Sequence, residues 1–476
     1  MEDLVLYALE LALRLGVSYA EVRYHKLEGF GVITRNSEPV GVRATHEEGL
    51  AVRVVVDGGL GFSSTSALSR GGVARAVEKA YRLAKSSAPL VKSRVEMGEA
   101  RQGRARYEVV ETRRLDDMGF EERLNYQLEL WKSVVDAVSE AKVETLYTDL
   151  HHMVEEKIVA TSSGAFVVSR VPRLMLTYNL VLSHPQKGSL QRYMVHFGSG
   201  GAELLEKWRV HEDLPREAAS LEEVLMKGKK PPEGKVDVVV GSEVVGLVVH
   251  ESCGHPCEAD RILGREAAQA GKSFVKPDML GTRIGNEHAT VIDDPTIPGS
   301  AGFYLYDDEG VPARPRYLYR EGVINELLHN RWTAAVFGVE SNASARACSY
   351  WGEPIVRMAN TYLKPEDYRF EELIEEVKRG VYIKSYMEWN IDDMRLSQRY
   401  VGLEAYEIVN GELGSPVRNP VLELTTQTFY GKIDAVGREV RFYSGRCAKG
   451  EPVQLVPVWF GGPDVRLRGV KLGVTA

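Results

Sequence analysis

The chain has 476 residues, enough for two or three domains at roughly 100 to 200 residues each. Its 60 basic and 67 acidic side chains leave a formal net charge of −7, which attracts neither phosphate backbones nor anionic lipid and argues against nucleic-acid and membrane partners. With 44% hydrophobic and 27% charged residues, the composition excludes a disordered or membrane-embedded chain.

The opening MEDLVLYALELALRLG places Glu2 and Asp3 where a signal peptide is basic, and Glu10 and Arg14 interrupt its apolar stretch. An amphipathic helix closed by Gly16 is predicted. No apolar run approaches the ~18 to 20 residues of a membrane span. Four cysteines, Cys253, Cys257, Cys348 and Cys447, are too few and too unevenly placed to staple the chain, which points to a reducing, cytoplasmic setting.

From residue 19 to 66 apolar and polar residues alternate as in strands, and Asp57-Gly58-Gly59 marks a hairpin between VRVVV and LGFSS. Those glycines do not form a phosphate loop, because no helix opens after them. Helices are predicted over 69–84 and 116–142, then strands from Thr145 to His196 with a turn at Ser162-Ser163-Gly164. The run KGKKPPEGK, 227–235, combines basic residues with two prolines and two glycines and is predicted to be a solvated linker. It divides residues 1–230 from 231–476. Beyond it VDVVVG reads as a buried strand, SEVVGLVVHESCGH as an apolar helix, and the remainder as short strands with one helix at 370–380. The expected fold class is α+β: an antiparallel sheet with helices, followed by a β-rich domain that carries the helix of the functional site near its start.

His250-Glu251-Ser252-Cys253-Gly254-His255 sets a carboxylate beside one of two imidazoles, the elements of a zinc hydrolase site. The histidines are five residues apart rather than four. At about 100° per residue, an α-helix would point their rings roughly 140° apart. The helix end is therefore predicted to be distorted, by a π-bulge or by unwinding at Gly254 and Pro256. A third ligand is needed, and Cys253, Cys257, His288, Glu258, Asp260, Glu266 and Cys447 are all candidates. Cys447 is read as lying in a glycine-flanked turn, SGRCAKG.

HESCGH, the late GRCAKGEPVQLVPV, the run Arg357-Met358-Ala359-Asn360-Thr361 and the early GLAVRVVVDGGLGFSSTS together resemble the TldD/PmbA family of metallopeptidases, its TldD branch in particular. The resemblance spans nearly the whole chain in order. It implies His250, His255 and Cys447 as ligands of one Zn2+ and Glu251 as general base. It also implies unfolded or extended peptides as substrate, and a dimer, either of two copies or with a PmbA/TldE-like subunit. Arg346, Arg357 and Arg395 are candidates to hold a peptide carboxylate or carbonyl. Cys348, with no histidine near it in sequence, reads as a small buried hydrophobe. Two other readings are a cysteine hydrolase built on Cys253 or Cys257 with His255, and a non-catalytic scaffolding subunit with structural zinc or none.

Overall fold

The computed structural model describes residues 1–266 and 271–474. Helix α1 (Glu2–Arg14) turns Val5, Ala8 and Ala12 inward and is followed by Gly16 at φ +73°, the left-handed conformation that glycine adopts without strain. β1 (Tyr19–Arg35) pairs antiparallel with β2 (Glu38–Val56), and β2 with β3 (Gly59–Thr65). Asp57 and Gly58 both have positive φ, so the predicted hairpin closes through a two-residue turn whose twist matches its strands.

Helix α2 (Arg70–Ser87), capped by the Ser69 hydroxyl, lies directly on β3. A Cβ on Gly61 would meet the Ala80 carbonyl oxygen at 2.0 Å, and one on Gly59 that of Ala84 at 2.1 Å. These glycines are seats for a helix. Gly61→Ala is expected to cost ~1 to 3 kcal/mol by overpacking, seen as a lowered denaturation midpoint. A change within about 0.5 kcal/mol, typical of uninvolved surface positions, would show that the helix yields freely.

β4 (Arg104–Glu108) runs parallel to the later strand Phe166–His184, and α3 spans Phe120–Ala137, shorter than predicted. Leu115–Asp117 form a separate tight turn before it, and the residues from Lys142 belong to β5 (Lys142–Thr161). With β6 (Phe166–His184) and β7 (Gly188–Ser199) they complete a seven-stranded sheet in the order β3-β2-β1-β5-β6-β4, β7 lying on β6. Helices α4 (Leu204–Trp208) and α5 (Val210–Lys227) have no counterpart in the predicted elements. Pro215 disguises α5, although Leu214, Ala218, Leu221 and Leu225 are buried at helical spacing.

The basic run after α5 is tethered as well as exposed, since Lys229 bridges Val417 and Arg418 N donates to the Lys229 carbonyl. β8 (Lys235–Val240) is an inner strand of a nine-stranded mixed sheet, between the parallel Arg379–Ile383 and the antiparallel Val465–Val474. Of the predicted helix 370–380 only Phe370–Glu375 is helical, because Arg379 and Gly380 enter the strand beside β8. Further short helices, Arg331–Phe337 and Thr426–Lys432, add to this half.

Helix α6 (Ser242–Val249) leaves β8 almost at once and is buried along its whole length. It lies on a six-stranded sheet that ends in the order Asn360–Leu363, Gln454–Gly462, Arg441–Lys449. A Cβ on Gly246 would meet the Gly461 amide nitrogen at 2.7 Å, so glycine lets helix and strand touch backbone to backbone. That close seat sets the end of α6 beside the Arg441–Lys449 strand.

The two halves are riveted by polar contacts. Arg53 of β2 pairs with Glu309, and Trp459 Nε1 donates to the Phe197 carbonyl at 2.6 Å.

Candidate metal centre

At the end of α6 the backbone widens. His250–Gly254 form a π turn in which the His255 amide donates to the His250 carbonyl, and His255–Cys257 continue as a tight 3₁₀ turn containing Pro256. The five-residue spacing therefore completes one full turn. The two rings meet with centroids 5.0 Å apart and planes at 82°. Gly254 is required on the outer side of this turn, because a Cβ there would lie 1.9 Å from Met358 Sδ.

Cys447 arrives from a strand, which corrects the predicted turn. Residues 441 to 449 pair antiparallel with 454 to 462 over their full length, and the chain reverses only after Lys449. Gly445 sits inside the strand, so a flanking glycine was a false turn signal. Alternation along the strand sends Cys447 and Lys449 inward and Arg446 and Ala448 outward. Cys447 Sγ lies 3.4 Å from His255 Nε2, and the donor atoms of His250, His255 and Cys447, all buried, lie within 4.8 Å of one another. Two neutral imidazoles and a sulfur, leaving a fourth position open, are a donor set suited to zinc. The 3.4 Å separation is close to the roughly 3.5 Å between two donors of a tetrahedral ion with 2.0 to 2.3 Å bonds.

The electrostatics suit a cation. Burial pushes both histidines below the usual imidazole range, which keeps their nitrogens unprotonated as ligands require. Burial alone would raise the Cys447 thiol. The neighbouring His255 ring and Arg357 guanidinium outweigh it and bring the thiol down to about 7.

A buried polar network orients His255. Its Nδ1 lies 3.0 Å from Glu258 Oε2, which also receives Arg261 Nε at 3.1 Å and Lys449 Nζ at 3.3 Å. Burial would raise the Glu258 carboxyl, but Lys449, His255 and Arg261 hold it well below the usual carboxylate range. Lys449 follows Cys447 on the same strand face and also reaches Asp260 at 2.7 Å, so one strand supplies the sulfur and steadies the carboxylate behind the imidazole. Glu258→Gln is expected to weaken zinc binding about 10- to 100-fold in a competition titration; an unchanged affinity would show that His255 is oriented by other contacts.

The other third-ligand candidates are engaged elsewhere. Asp260 accepts from Lys449 and the Val356 amide, Glu266 accepts from the Gly450 amide, and His288 Nδ1 lies 2.9 Å from Glu366. Cys253 and Cys257 have no exposed surface, and Cys253 lies beside Cys257 and Tyr319. Burial pushes the Cys253 thiol well above its ordinary range, the reverse of what a cysteine nucleophile needs. Cys348 is only half-buried, with its thiol raised to about 11 by burial.

Glu251, directly after His250, is buried and forms an ion pair with Arg395 through Oε2. Arg395 sits at φ 62° in the turn Asp392–Arg395, held by its own amide to the Asp392 carbonyl and by Thr426 Oγ1 on its own carbonyl. This pair joins residues 144 positions apart, and no local pattern signals it. Arg357 has no exposed surface, and its guanidinium donates to the carbonyls of Gln454 and Cys447. It braces the sulfur's strand and is out of reach of a peptide, a correction to its expected role. Arg346 donates to the carbonyls of Met358 and Pro457 and borders a separate cavity.

A buried nitrogen and sulfur donor set beside a carboxylate is an arrangement that metal-dependent hydrolases use. The profile of the PmbA/TldA metallopeptidase C-terminal domain matches residues 233–474, and that of PmbA/TldA metallopeptidase domain 1 matches residues 20–84. A metalloprotease of Methanocaldococcus jannaschii is 30% identical over 458 residues, 96% of this chain and 97% of that one. A zinc metalloprotease TldD homolog of Saccharolobus solfataricus is 33% identical over 250 residues, 52% of this chain and 54% of that one. Among solved structures, TldE from Thermococcus kodakarensis has a TM-score of 0.74 at 16% identity over 99% of both chains, which shows the fold alone. The chain belongs to the PmbA/TldA family of metallopeptidases and is a peptidase by that membership.

Proposed function

We propose that this chain is a zinc-dependent peptidase that cleaves unfolded or extended peptides, with His250, His255 and Cys447 as ligands of one ion and Glu251 as general base. The observation that carries the reading is the meeting of two imidazoles and a sulfur at the π turn, with Glu251 on that same turn. When bound, the zinc supplies a Lewis acid that polarises a peptide carbonyl and makes water more acidic. The chain's residues do the rest. Glu251 accepts the proton of the attacking water and passes it to the leaving amine. Arg395 anchors Glu251 through Oε2, and Glu258 fixes the His255 ring.

Residues 1–230 and 231–476 are proposed as the two domains. A second copy or a TldE-like subunit is the proposed partner, supported by the shared fold with TldE from Thermococcus kodakarensis. A cytoplasmic setting is proposed from the free thiols of all four cysteines. Among the described residues no helix is long and apolar enough to cross a membrane.

Metal analysis of the purified protein, with digestion of an unfolded polypeptide before and after chelation, tests the proposal. About one zinc per chain and hydrolysis that stops on chelation and returns with zinc are expected. Undiminished cleavage by metal-free protein would end it.

A further inference from the structure

A cavity of about 290 Å³ lies away from the metal centre. It lies between the first sheet and the C-terminal half, on the face of the Arg441–Lys449 strand opposite Cys447, since Arg446 borders it and successive residues of a strand point to opposite faces. Its walls include Met153, Phe303, Tyr304 and Trp351, and its volume suits one end of a peptide rather than a long segment.

The charges around it are unevenly satisfied. Glu155 is held by Arg173 at 2.8 Å and by His25 at 3.0 Å, and Asp308 by Lys157 at 3.0 Å and the Ala347 amide at 2.7 Å. Asp307 accepts three backbone amides, from Glu309, Val311 and Ala345. Glu47 accepts from Ser349 and from Trp351 Nε1. Every acid on the cavity is thus provided with donors. Two arginines are not matched in the same way. Arg346, 7% exposed, donates to the carbonyls of Met358 and Pro457 and stacks over Tyr304 at 5.4 Å, with no carboxylate paired to it among the described residues. Arg446, at the exposed mouth, lies 3.2 Å from His151 Nε2 and likewise has no carboxylate partner among the described residues. The two belong to one place, because Arg446 is the cross-strand neighbour of Pro457, whose carbonyl Arg346 holds.

We propose that this cavity is a second binding site, which takes the C-terminal carboxylate of a short peptide between Arg346 and Arg446, with the apolar walls around the peptide's last side chains. A buried cation without a counter-ion is costly, and a planar carboxylate is the partner a guanidinium fits best. Naming a peptide as the carrier rests on the peptidase reading; carboxylate capture does not.

The test uses zinc-loaded protein carrying Glu251→Gln, so that peptides survive, and isothermal titration with three probes: acetyl-Ala-Ala-Ala, its C-terminal amide, and acetyl-Ala-Glu-Ala-amide. The free acid is expected to bind about ten-fold or more tighter than either amide. Arg346→Gln should erase that preference. Arg446→Gln, at an exposed position that does not brace the core, should erase it too and serves if the buried variant fails to fold. Equal binding of acid and amide, or a preference that survives the Arg446 substitution, overturns the proposal. Tight binding of the glutamate peptide amide overturns the terminal-carboxylate assignment in favour of side-chain recognition. Loss of the peptidase reading would leave the acid-to-amide difference in place, so the two can fail separately.

Discussion

Glu251→Gln is expected to stop peptide hydrolysis while leaving zinc in place. Glutamine keeps the shape of the side chain and an oxygen that can still accept from Arg395, and none of the three proposed donors is touched. What it lacks is a basic oxygen for the proton of the attacking water. General bases of this kind contribute about 10²- to 10⁴-fold, so kcat should fall within that range at unchanged zinc content and little change in KM. A variant within a few-fold of the wild-type kcat would remove Glu251 from the proposed role. A variant that also lost its metal would show Glu251 to be part of the metal cage.

The second large effect is on stability. Arg53 bridges Glu21 at 2.6 Å and Glu309 at 2.5 Å, with all three side chains at most 2% exposed. Burial already raises the Glu21 carboxyl despite the attraction of Arg53, so the acids depend on that cation. Arg53→Met leaves two buried carboxylates together, and breaking a buried pair from one side costs about 3 to 5 kcal/mol. Because Arg53 comes from β2 and Glu309 from the C-terminal half, the halves should also separate more readily. Urea denaturation measures the loss, and a value below about 1 kcal/mol, the range of exposed pairs, would make this bridge incidental. Adding Glu21→Gln and Glu309→Gln to the variant should recover much of the stability, since the uncompensated charge is then gone.

How much could be read in advance depended on the range of the interactions. The distorted helix end followed from local arithmetic: histidines five apart cannot share a face of an α-helix, and the backbone resolves this with the π turn at His250–Gly254. The hairpin at Asp57-Gly58 was equally local. Cys447 was misplaced because glycines at 445 and 450 suggest a turn, whereas strand pairing with 454 to 462 decides the backbone. Arg357 was a candidate to hold a peptide and is a buried brace, because its partners are carbonyls 90 and 97 residues away. The Glu251 to Arg395 pair and the Arg53 bridge are likewise products of the tertiary fold. Helix α5 was legible in its spacing of buried leucines but hidden by Pro215.

The wide turn bears on how zinc helices are compared. A five-residue spacing of the two proposed ligands, held in a π turn, is one deletion away from the four-residue spacing of a straight helix, so the two motifs differ by a single codon. A search keyed to the four-residue spacing would therefore pass over this chain, whose two imidazoles meet with centroids 5.0 Å apart across one extra residue of turn.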